Sequence, residues 1–269
     1  MNAIEGCGLG LRESFADEIV SVADRIDFLE IVPENLMHMN RRERKRFERI
    51  RDRFPVIAHG LSLSLGDTSN IDIDHLHRLK DFLDAWDIDV YSEHLSFTSF
   101  DGVQSYELLP LPMTDTMVDA VVAKIDRVQE ILGRPLIIEN PTYYTVLEST
   151  MDEPAFIGEI LKRSGAKLLL DINNLFVNGH NHRFDVMAFL DAVDMERVAY
   201  CHVAGHLEYR DDLFIDTHGM PVKEEVWDLM RQVMAKKALP VLLERDNNIP
   251  PLKELMEEFE TMKAIYDGE

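Results

Sequence analysis

LLLDIN, at residues 168–173, is a short apolar run that passes directly into a carboxylate, followed by Ile172 and the polar Asn173. Runs of the same kind flank it, LIIEN at 136–140 and VAYCHVA at 198–204. Farther out lie CGLGLR (7–12), FLEIVPE (28–34), VIAHGL (56–61), VYSEHLS (90–96) and VLLERD (241–246). Short apolar runs rich in β-branched and aromatic residues are typical of buried strands. The sequence therefore predicts eight strands.

The segments between these runs show helical periodicity. Leu76, Leu79 and Leu83 recur at three- and four-residue spacing, and so do Val121 and Ile125. Alternating strands and helices predict parallel strands with right-handed crossovers, and eight such units close into a (β/α)8 TIM barrel. Because no Ser/Gly-rich linker divides the chain, we expect residues 1–269 to form a single domain. A doubly wound open sheet is the alternative, although the glycines near residue 8 do not complete a dinucleotide-binding fingerprint.

Composition and charge bear on location and partners. The formal net charge of −22 argues against a nucleic-acid partner, because that affinity comes mainly from Lys and Arg. The chain lacks both a membrane-length apolar run and a signal-peptide pattern, so we expect a cytoplasmic protein with no membrane partner. Cys7 and Cys201 lie in apolar runs, which predicts buried thiols and no disulfide. The basic segment RRERKRFERIRDR (41–53) is interpreted as a solvated helix, with a docking strip for an acidic partner as the alternative.

Polar side chains stand where the predicted strands end. In chain order, a His or a carboxylate occurs there at His59, His94, Glu139, Asp171, His202 and Glu244. The loops add Asn174, three residues after Asp171, and Asp216 and His218 in the motif DTHG. The carboxyl ends of barrel strands converge on one mouth, where such groups would be very costly to bury without cations. Imidazole and carboxylate suit iron, manganese or zinc, so the set predicts a metal cluster.

The order of these residues suggests how they divide among ions. Three groups are expected: His59, His94 and Glu139; Asp171, His202 and Glu244; and Asn174, Asp216 and His218. Glu139 is expected to bridge the first two groups. The residues expected to take part in catalysis are Glu139, His94, Asp171 and Asn174. The residues considered for substrate or outer contacts are His206, Arg245, Tyr143 and Glu30.

Seven ordered blocks resemble the multinuclear non-haem iron-dependent oxidases: HGLSLSLG (59–66), SEHLSF (92–97), IENPTYY (138–144), LLLDINN (168–174), HVAGH (202–206), DTHG (216–219) and LERDNNIPPL (243–252). The resemblance implies a xylose-isomerase-like barrel with two or three irons (Fe2+/Fe3+) and dioxygen as co-substrate. It also implies that the substrate is a cysteine residue of a ribosomally made precursor peptide, presented by a small partner protein. The family's products include an oxazolone–thioamide, a thiooxazole and the result of excising the cysteine β-carbon. The overall resemblance favours excision, on the route to 3-thiaglutamate.

The ligand order also resembles the trinuclear zinc site of endonuclease IV, in which a histidine would stand at the position of Asn174. An amide there implies a harder and weaker third site. Three alternative functions stay open on the same barrel. A divalent-metal sugar isomerase would need mainly carboxylates, whereas four histidines favour redox iron. A metal-dependent phosphodiesterase would need basic phosphate clamps, and a non-catalytic metal scaffold would have no open coordination position.

Overall fold

The computed structural model describes residues 4–67, 71–100 and 103–268. Within these ranges, eight parallel strands close into a barrel, as the sequence predicts. The strands, in chain order, are β1 (Cys7–Gly10), β2 (Phe28–Ile31), β3 (Val56–Gly60), β4 (Tyr91–His94), β5 (Phe97–Phe100), β6 (Val103–Leu109), β7 (Ile137–Glu139), β8 (Lys167–Asp171), β9 (Val198–Val203), β10 (Leu207–Arg210), β11 (Leu213–Ile215) and β12 (Val241–Leu243). The barrel order is β1–β2–β3–β4–β7–β8–β9–β12, and β12 pairs with β1 to close it. Each predicted run overlaps one barrel strand, and closure of the barrel excludes the alternative of a doubly wound open sheet.

Helices cover the outside of the barrel. They are α1 (Pro33–Leu36), α2 (Arg41–Arg51), α3 (Ile73–Ala85), α4 (Asp115–Leu132), α5 (Glu153–Ser164), α6 (Ile172–His182), α7 (Val186–Ala192), α8 (Glu224–Lys236) and α9 (Leu252–Asp267). Helix α2 contains most of the basic segment. Asn40 and Glu43 form its capping box, and Arg44 and Glu48 make the i,i+4 ion pair expected of a solvated helix. No helix among the described residues is long and apolar enough to cross a membrane.

The barrel interior changes from apolar to polar along its strands. Seven interior side chains form a separate apolar cluster: Phe28, Ile57, Val90, Ile137, Leu169, Tyr200 and Leu242. Because side chains alternate along a strand, the residue two positions later also faces inward. Those residues are Glu30, His59, Ser92, Glu139, Asp171, His202 and Glu244, and all are buried. On β1 the corresponding positions are glycines, and a Cβ at Gly8 would lie 2.3 Å from the Phe28 ring. The fold thus builds a polar layer directly on an apolar one.

Two antiparallel hairpins were not predicted, β5–β6 after the fourth barrel strand and β10–β11 after β9. Their described residues are mainly exposed or half-buried, and no apolar run in these strands exceeds the three residues of LFI in β11, so the sequence did not mark them as strands. The prediction of buried, unpaired cysteines is confirmed for Cys7 and Cys201. Burial, reinforced by Asp27, raises the pKa of the Cys7 thiol to about 12. Neither thiol is therefore suited to nucleophilic chemistry near neutral pH.

Candidate metal centre

The structure brings the polar strand ends together at the mouth of the barrel. Groups of side chains whose ligand atoms all lie within 4.8 Å of one another are His59, His94 and Glu139; Glu30, His202 and Glu244; Glu139, Asp171 and His202; and Asp171, His218 and Glu244. Every member is buried. Glu139, Asp171, His202 and Glu244 each occur in two groups, so the groups form one continuous cluster.

His59, His94 and Glu139 form the most regular of these groups. The Nε2 atoms of His59 and His94 lie 3.2 Å apart. Oε2 of Glu139 lies 3.1 Å from Nε2 of His59 and 3.4 Å from Nε2 of His94. Ligand atoms about 2.1 Å from one ion, at bond angles of roughly 90° to 110°, are about 3.0 to 3.4 Å apart. The three atoms therefore have the spacing of one face of a metal coordination shell.

A second concentration of donors surrounds His202. Its Nδ1 atom lies 3.0 Å from Oε2 of Glu244 and 3.9 Å from Oδ2 of Asp171. Its Nε2 atom lies 3.0 Å from Oε1 of Glu30, on the opposite side of the ring. Histidines that bind metals commonly use one ring nitrogen for the ion and give the other to a carboxylate. Nδ1, facing Asp171 and Glu244, is the nitrogen placed to bind an ion.

His218 provides a third concentration of donors. Its Nε2 atom lies 2.8 Å from Oδ1 of Asp216 and 3.9 Å from Oδ2 of Asp171. Its Nδ1 atom lies 3.3 Å from Oε2 of Glu244. The backbone of His218 has a φ of 45°, a left-handed conformation that a non-glycine residue adopts at some cost in strain. The loop therefore holds this imidazole against the carboxylates in a conformation that its own backbone disfavours.

Asn174 does not have the contacts that its predicted grouping requires. Its Nδ2 atom donates to Oε1 of Glu139 at 3.1 Å, and its Oδ1 atom accepts from Thr142 at 2.9 Å. The amide that contacts Asp216 is that of Asn173, at 2.8 Å. Asn174 is thus tied to the first group through Glu139, and Asn173 supports the third.

The pKa values of the buried carboxylates and histidines are shifted by burial and by one another. Burial alone would raise the pKa of Glu139, but His94 and His59 outweigh it and lower this pKa to about 2. Burial alone would lower the pKa of His94, but Glu139 and Glu93 outweigh it and raise this pKa to about 9. Burial raises the pKa of Asp171 well above its usual value. Without cations, the cluster thus retains protons that metal ions could replace.

The donor atoms also fit metal ions because several have no other partner. Among the described residues, the buried atoms that lack a hydrogen-bond partner include Oε2 of Glu139, Oδ2 of Asp171, Nδ1 of His202 and Nε2 of His218. An orphaned buried polar atom is costly, and four in one cluster need a common explanation. Imidazole nitrogens and carboxylate oxygens are suitable ligands for iron, manganese and zinc. The residues present therefore fit a cluster of such ions.

Sequence reasoning missed three charged residues beside the cluster. Arg12 donates to Oε1 of Glu244 at 3.0 Å and also pairs with Asp246. Burial works to lower the pKa of Arg12, but Asp246 and Glu244 outweigh it, so the guanidinium stays charged. Glu93 lies 3.4 Å from Nδ1 of His94. Arg12 and Asp246 end their predicted runs, so the strand-end rule would have found them had it included every charged residue.

Four residues were considered for substrate or outer contacts, and all four have contacts within the protein. Arg245 is buried and pairs with Glu258 on α9, because strand alternation turns it outward from its neighbour Glu244. The Tyr143 hydroxyl donates to Glu153. His206 is only 1% exposed and hydrogen-bonds to Asn173 beneath the β10–β11 hairpin. Glu30, the fourth, supports His202 inside the barrel, as noted above.

A cavity of about 590 Å³ opens over the cluster. Its polar floor is formed by residues of the cluster, including His59, His94, Glu139, His218 and Glu244. From there it extends between the loop after β1 and helices α1 and α2, where the lining includes Leu11, Ala16, Ile31, Leu36, Phe47 and Ile50. A volume of this size accommodates a segment of peptide or a compound of similar size. The cavity thus connects a charged floor with an apolar wall.

Comparisons with known proteins agree with this architecture. Endonuclease IV from Thermus thermophilus is 14% identical, with a TM-score of 0.61 over 98% of this chain and 100% of that chain. A xylose isomerase domain protein from Planctomyces limnophilus is 11% identical, with a TM-score of 0.60 over 98% of this chain and 97% of that chain. At such identities these likenesses show the fold alone, which is the xylose-isomerase-like and endonuclease IV-like TIM barrel that the sequence predicts.

Sequence relatives give the family. A UPF0276 protein of Acinetobacter baylyi is 42% identical over 268 residues, which cover 98% of this chain and 92% of the relative. The family model described as "RiPP precursor modification enzyme MbnB/TglH/ChrH" matches residues 6–267, where RiPP denotes a ribosomally made and then modified peptide. Since the match covers nearly the whole barrel and every residue of the cluster, the chain belongs to the MbnB/TglH/ChrH family of RiPP precursor modification enzymes.

Proposed function

We propose that this protein is a multinuclear iron, dioxygen-dependent oxidase that modifies a cysteine residue of a ribosomally made precursor peptide. The observation that supports it best is the group of His59, His94 and Glu139, whose ligand atoms are spaced for one ion. Glu139 also belongs to a group with Asp171 and His202. Asp171 in turn belongs to a group with His218 and Glu244. The proposal therefore assigns two or three ions to the cluster.

Iron bound here would supply a redox centre that accepts the cysteine thiolate and dioxygen. The residues of the chain have three tasks around it. His59, His94, His202 and His218 would hold the ions as neutral ligands, and the buried carboxylates would balance their charge. Arg12 holds Glu244 and Asp246 in place through its ion pairs. The apolar wall of the cavity excludes water from the reacting groups.

The surface around the mouth is suited to a peptide or protein ligand. Exposed large apolar side chains occur on segments that follow the carboxyl ends of barrel strands: Leu61, Val103, Leu109, Tyr144, Val146, Leu147, Leu207 and Tyr209. Exposed apolar side chains concentrated on one face are a feature of interaction sites. This face supports the proposal of a peptide substrate, and of a small partner protein that presents it.

Metal analysis combined with dioxygen uptake tests this function. Protein from iron-replete cells should contain two to three irons per chain and should show a visible absorption band that changes on reduction. It should consume dioxygen with a cysteine-containing precursor peptide but not with the same peptide in which serine replaces the cysteine. Full activity of a protein that contains only zinc would contradict the iron assignment. Isomerisation of a sugar or cleavage of a phosphodiester, without dioxygen uptake, would favour the alternative functions.

A further inference from the structure

A continuous line of hydrogen bonds runs beneath the candidate metal centre, from one histidine of the cluster to another. Nδ1 of His59 lies 2.8 Å from the Ser92 hydroxyl. The Ser92 hydroxyl lies 2.7 Å from the Tyr200 hydroxyl, which lies 2.7 Å from Oε2 of Glu30. The same oxygen of Glu30 lies 3.1 Å from Nε2 of His202. All five side chains are at most 3% exposed, so water cannot readily replace any of these bonds.

The carboxylate of Glu30, which lies between Tyr200 and His202, fixes the direction of every bond in this line. An ionised carboxylate only accepts hydrogen bonds, so Tyr200 must donate its single proton to Glu30. The proton between Tyr200 and Ser92 must then belong to Ser92. Ser92 has no second proton, so its oxygen can only accept from His59. The bond of 3.4 Å from Ser92 to the Ala58 carbonyl is longer and competes weakly for that proton.

In the neutral form that binds a metal ion, both histidines therefore present a lone pair to the cluster. His59 carries its proton on Nδ1, which leaves the lone pair of Nε2 facing His94 and Glu139. His202 gives its Nε2 proton to Glu30, which leaves the lone pair of Nδ1 facing Asp171 and Glu244. We infer that Glu30 sets the tautomers of His202 and, through Tyr200 and Ser92, of His59. Glu30, Tyr200 and Ser92 are then positioning residues that prepare two separate parts of the cluster for metal ions.

This inference rests on the proposal that the cluster binds metal, but not on iron or on oxidation. Zinc can therefore serve as the probe, since it has no redox chemistry. Tyr200→Phe removes one oxygen atom and keeps the ring in the apolar layer. Tyr143→Phe is the matched control, because Tyr143 is a buried tyrosine that donates to the carboxylate of Glu153, away from the cluster. Ser92→Ala removes the next hydroxyl in the line, and Ser92→Thr retains it.

The first measurement is the affinity of the full-length variants for Zn2+ in competition with a chelator. Loss of a group that orients a metal-binding histidine typically weakens metal affinity by about 10- to 100-fold. We expect a loss in this range for Tyr200→Phe and Ser92→Ala. We expect affinities near that of the native protein for Tyr143→Phe and Ser92→Thr. An unchanged affinity in Tyr200→Phe, or an equal loss in Tyr143→Phe, would overturn the inference.

The second measurement is the tautomer of His59 in metal-free protein labelled with 15N-histidine, observed by NMR. Native protein should carry the proton on Nδ1. Tyr200→Phe should give a mixture of tautomers, because the Ser92 hydroxyl loses its acceptor on Tyr200 and can then donate to His59 instead. The measurement on native protein needs no variant to fold, and a neutral ring with its single proton on Nε2 would overturn the inference by itself. A loss of affinity in Tyr200→Phe with an unchanged tautomer would also overturn it, because the tyrosine would then act only through packing.

Discussion

The hydrogen bond from Asn174 leaves the two carboxylate oxygens of Glu139 with different partners. The amide of Asn174 donates to Oε1 at 3.1 Å, so Oε2 is left to face His59 and His94. Both carboxylate oxygens are thus oriented by neighbours on different elements, since Asn174 lies in α6 and the two histidines lie in β3 and β4. This arrangement differs from the predicted one, in which Asn174 serves a third ion beside Asp216. Asn174 thus orients a carboxylate that belongs to two of the donor groups.

Replacing Glu139 should therefore remove more metal than replacing Asp216. Glu139→Gln removes a charge that two donor groups share, and we expect the loss of more than one ion per chain. Asp216→Asn should reduce only the ion beside His218, because Asp216 has its short contact there. Elemental analysis after dialysis gives the metal content, and anomalous diffraction shows which positions are lost. Equal metal content in the two variants would contradict the proposed role of Glu139.

Asn174→Ala should weaken binding at the ion held by His59, His94 and Glu139. The amide orients Glu139, and loss of such an outer contact typically costs about 10- to 100-fold in metal affinity. The same two measurements apply. Loss confined to the ion beside His218 would instead restore the grouping that the sequence suggests and would show that the amide turns toward Asp216 when metal is bound.

The sequence predicts that Asn174 lies at the mouth of the barrel but not which residue it contacts there. The barrel and its polar mouth could be predicted because each strand is an apolar run with a polar residue at its end. The spacing of Asn174 from Asp171 could not assign its partner, because α6 begins at Ile172 and each helical residue turns by about 100°. That turn brings Asn174 to Glu139 and the preceding Asn173 to Asp216.

The positions of Ser92 and Glu30 could be inferred from strand alternation, but only once the register of the barrel strands is known. Ser92 and Glu30 stand two positions after interior apolar residues, as Glu139 and Asp171 do. The sequence alone does not show which alternate residues face inward when a strand is apolar on both sides. The register of β4 places Ser92 beside His59, which reveals its part in the line of hydrogen bonds. The hairpins had no such signal, because their side chains are mainly exposed.

Arg12 should stabilise the metal-free protein more than the metal-loaded protein. It pairs with Glu244 and Asp246, and its removal leaves only the histidines of the cluster to balance these carboxylates unless metal ions are bound. Breaking a largely buried ion pair from one side costs roughly 3 kcal/mol, so Arg12→Gln should lower the melting temperature of metal-free protein clearly. The rise in melting temperature on adding metal should then be larger than in native protein.

An exposed arginine provides the control for this comparison. Arg25 pairs with Glu260, and their side chains are 46% and 47% exposed. Exposed pairs contribute little, about 0 to 1 kcal/mol, so Arg25→Gln should change neither form much. If Arg12→Gln lowers the melting temperature equally with and without metal, Arg12 contributes through packing alone.

Glu153 should make stability fall as pH rises. Burial raises the pKa of Glu153 from 4.5 to about 7, although the hydrogen bond from Tyr143 acts in the opposite direction. Between these two pKa values the native state keeps a proton that the unfolded state releases. The free energy of unfolding therefore declines as pH rises through this window and is fully reduced above a pH of about 7.

Glu153→Gln should remove this part of the pH dependence, since glutamine is neutral and can still accept the hydrogen bond from Tyr143. Relative to native protein, the variant should gain on the order of 2 kcal/mol between about pH 5.5 and about pH 8. Unfolding measured at both pH values checks it. Other titrating groups are common to the two proteins and cancel in the difference. A constant difference at both values would show that Glu153 is ionised in the native state throughout.

One arm of the cavity extends toward α2. Asn35 is exposed on α1 and lines this cavity, whereas His38 is exposed three residues later and lies against a different group of side chains. A variant with tryptophan at either exposed position should therefore fold with its core unchanged. Only Asn35→Trp places its ring where a peptide would pass between the apolar wall and the metal centre.

If the substrate occupies this arm, Asn35→Trp should raise the KM for a cysteine-containing precursor peptide several-fold while leaving the metal content unchanged. His38→Trp should have the kinetics of the native protein. Binding of a labelled peptide, measured by fluorescence anisotropy, separates weaker binding from slower chemistry. Equal KM values in the two variants would place the substrate elsewhere on the mouth, against the exposed side chains of the hairpins and of the loop after β7. A loss of metal in Asn35→Trp would instead show that this arm is coupled to the cluster through the loop after β2, since α1 follows that strand directly.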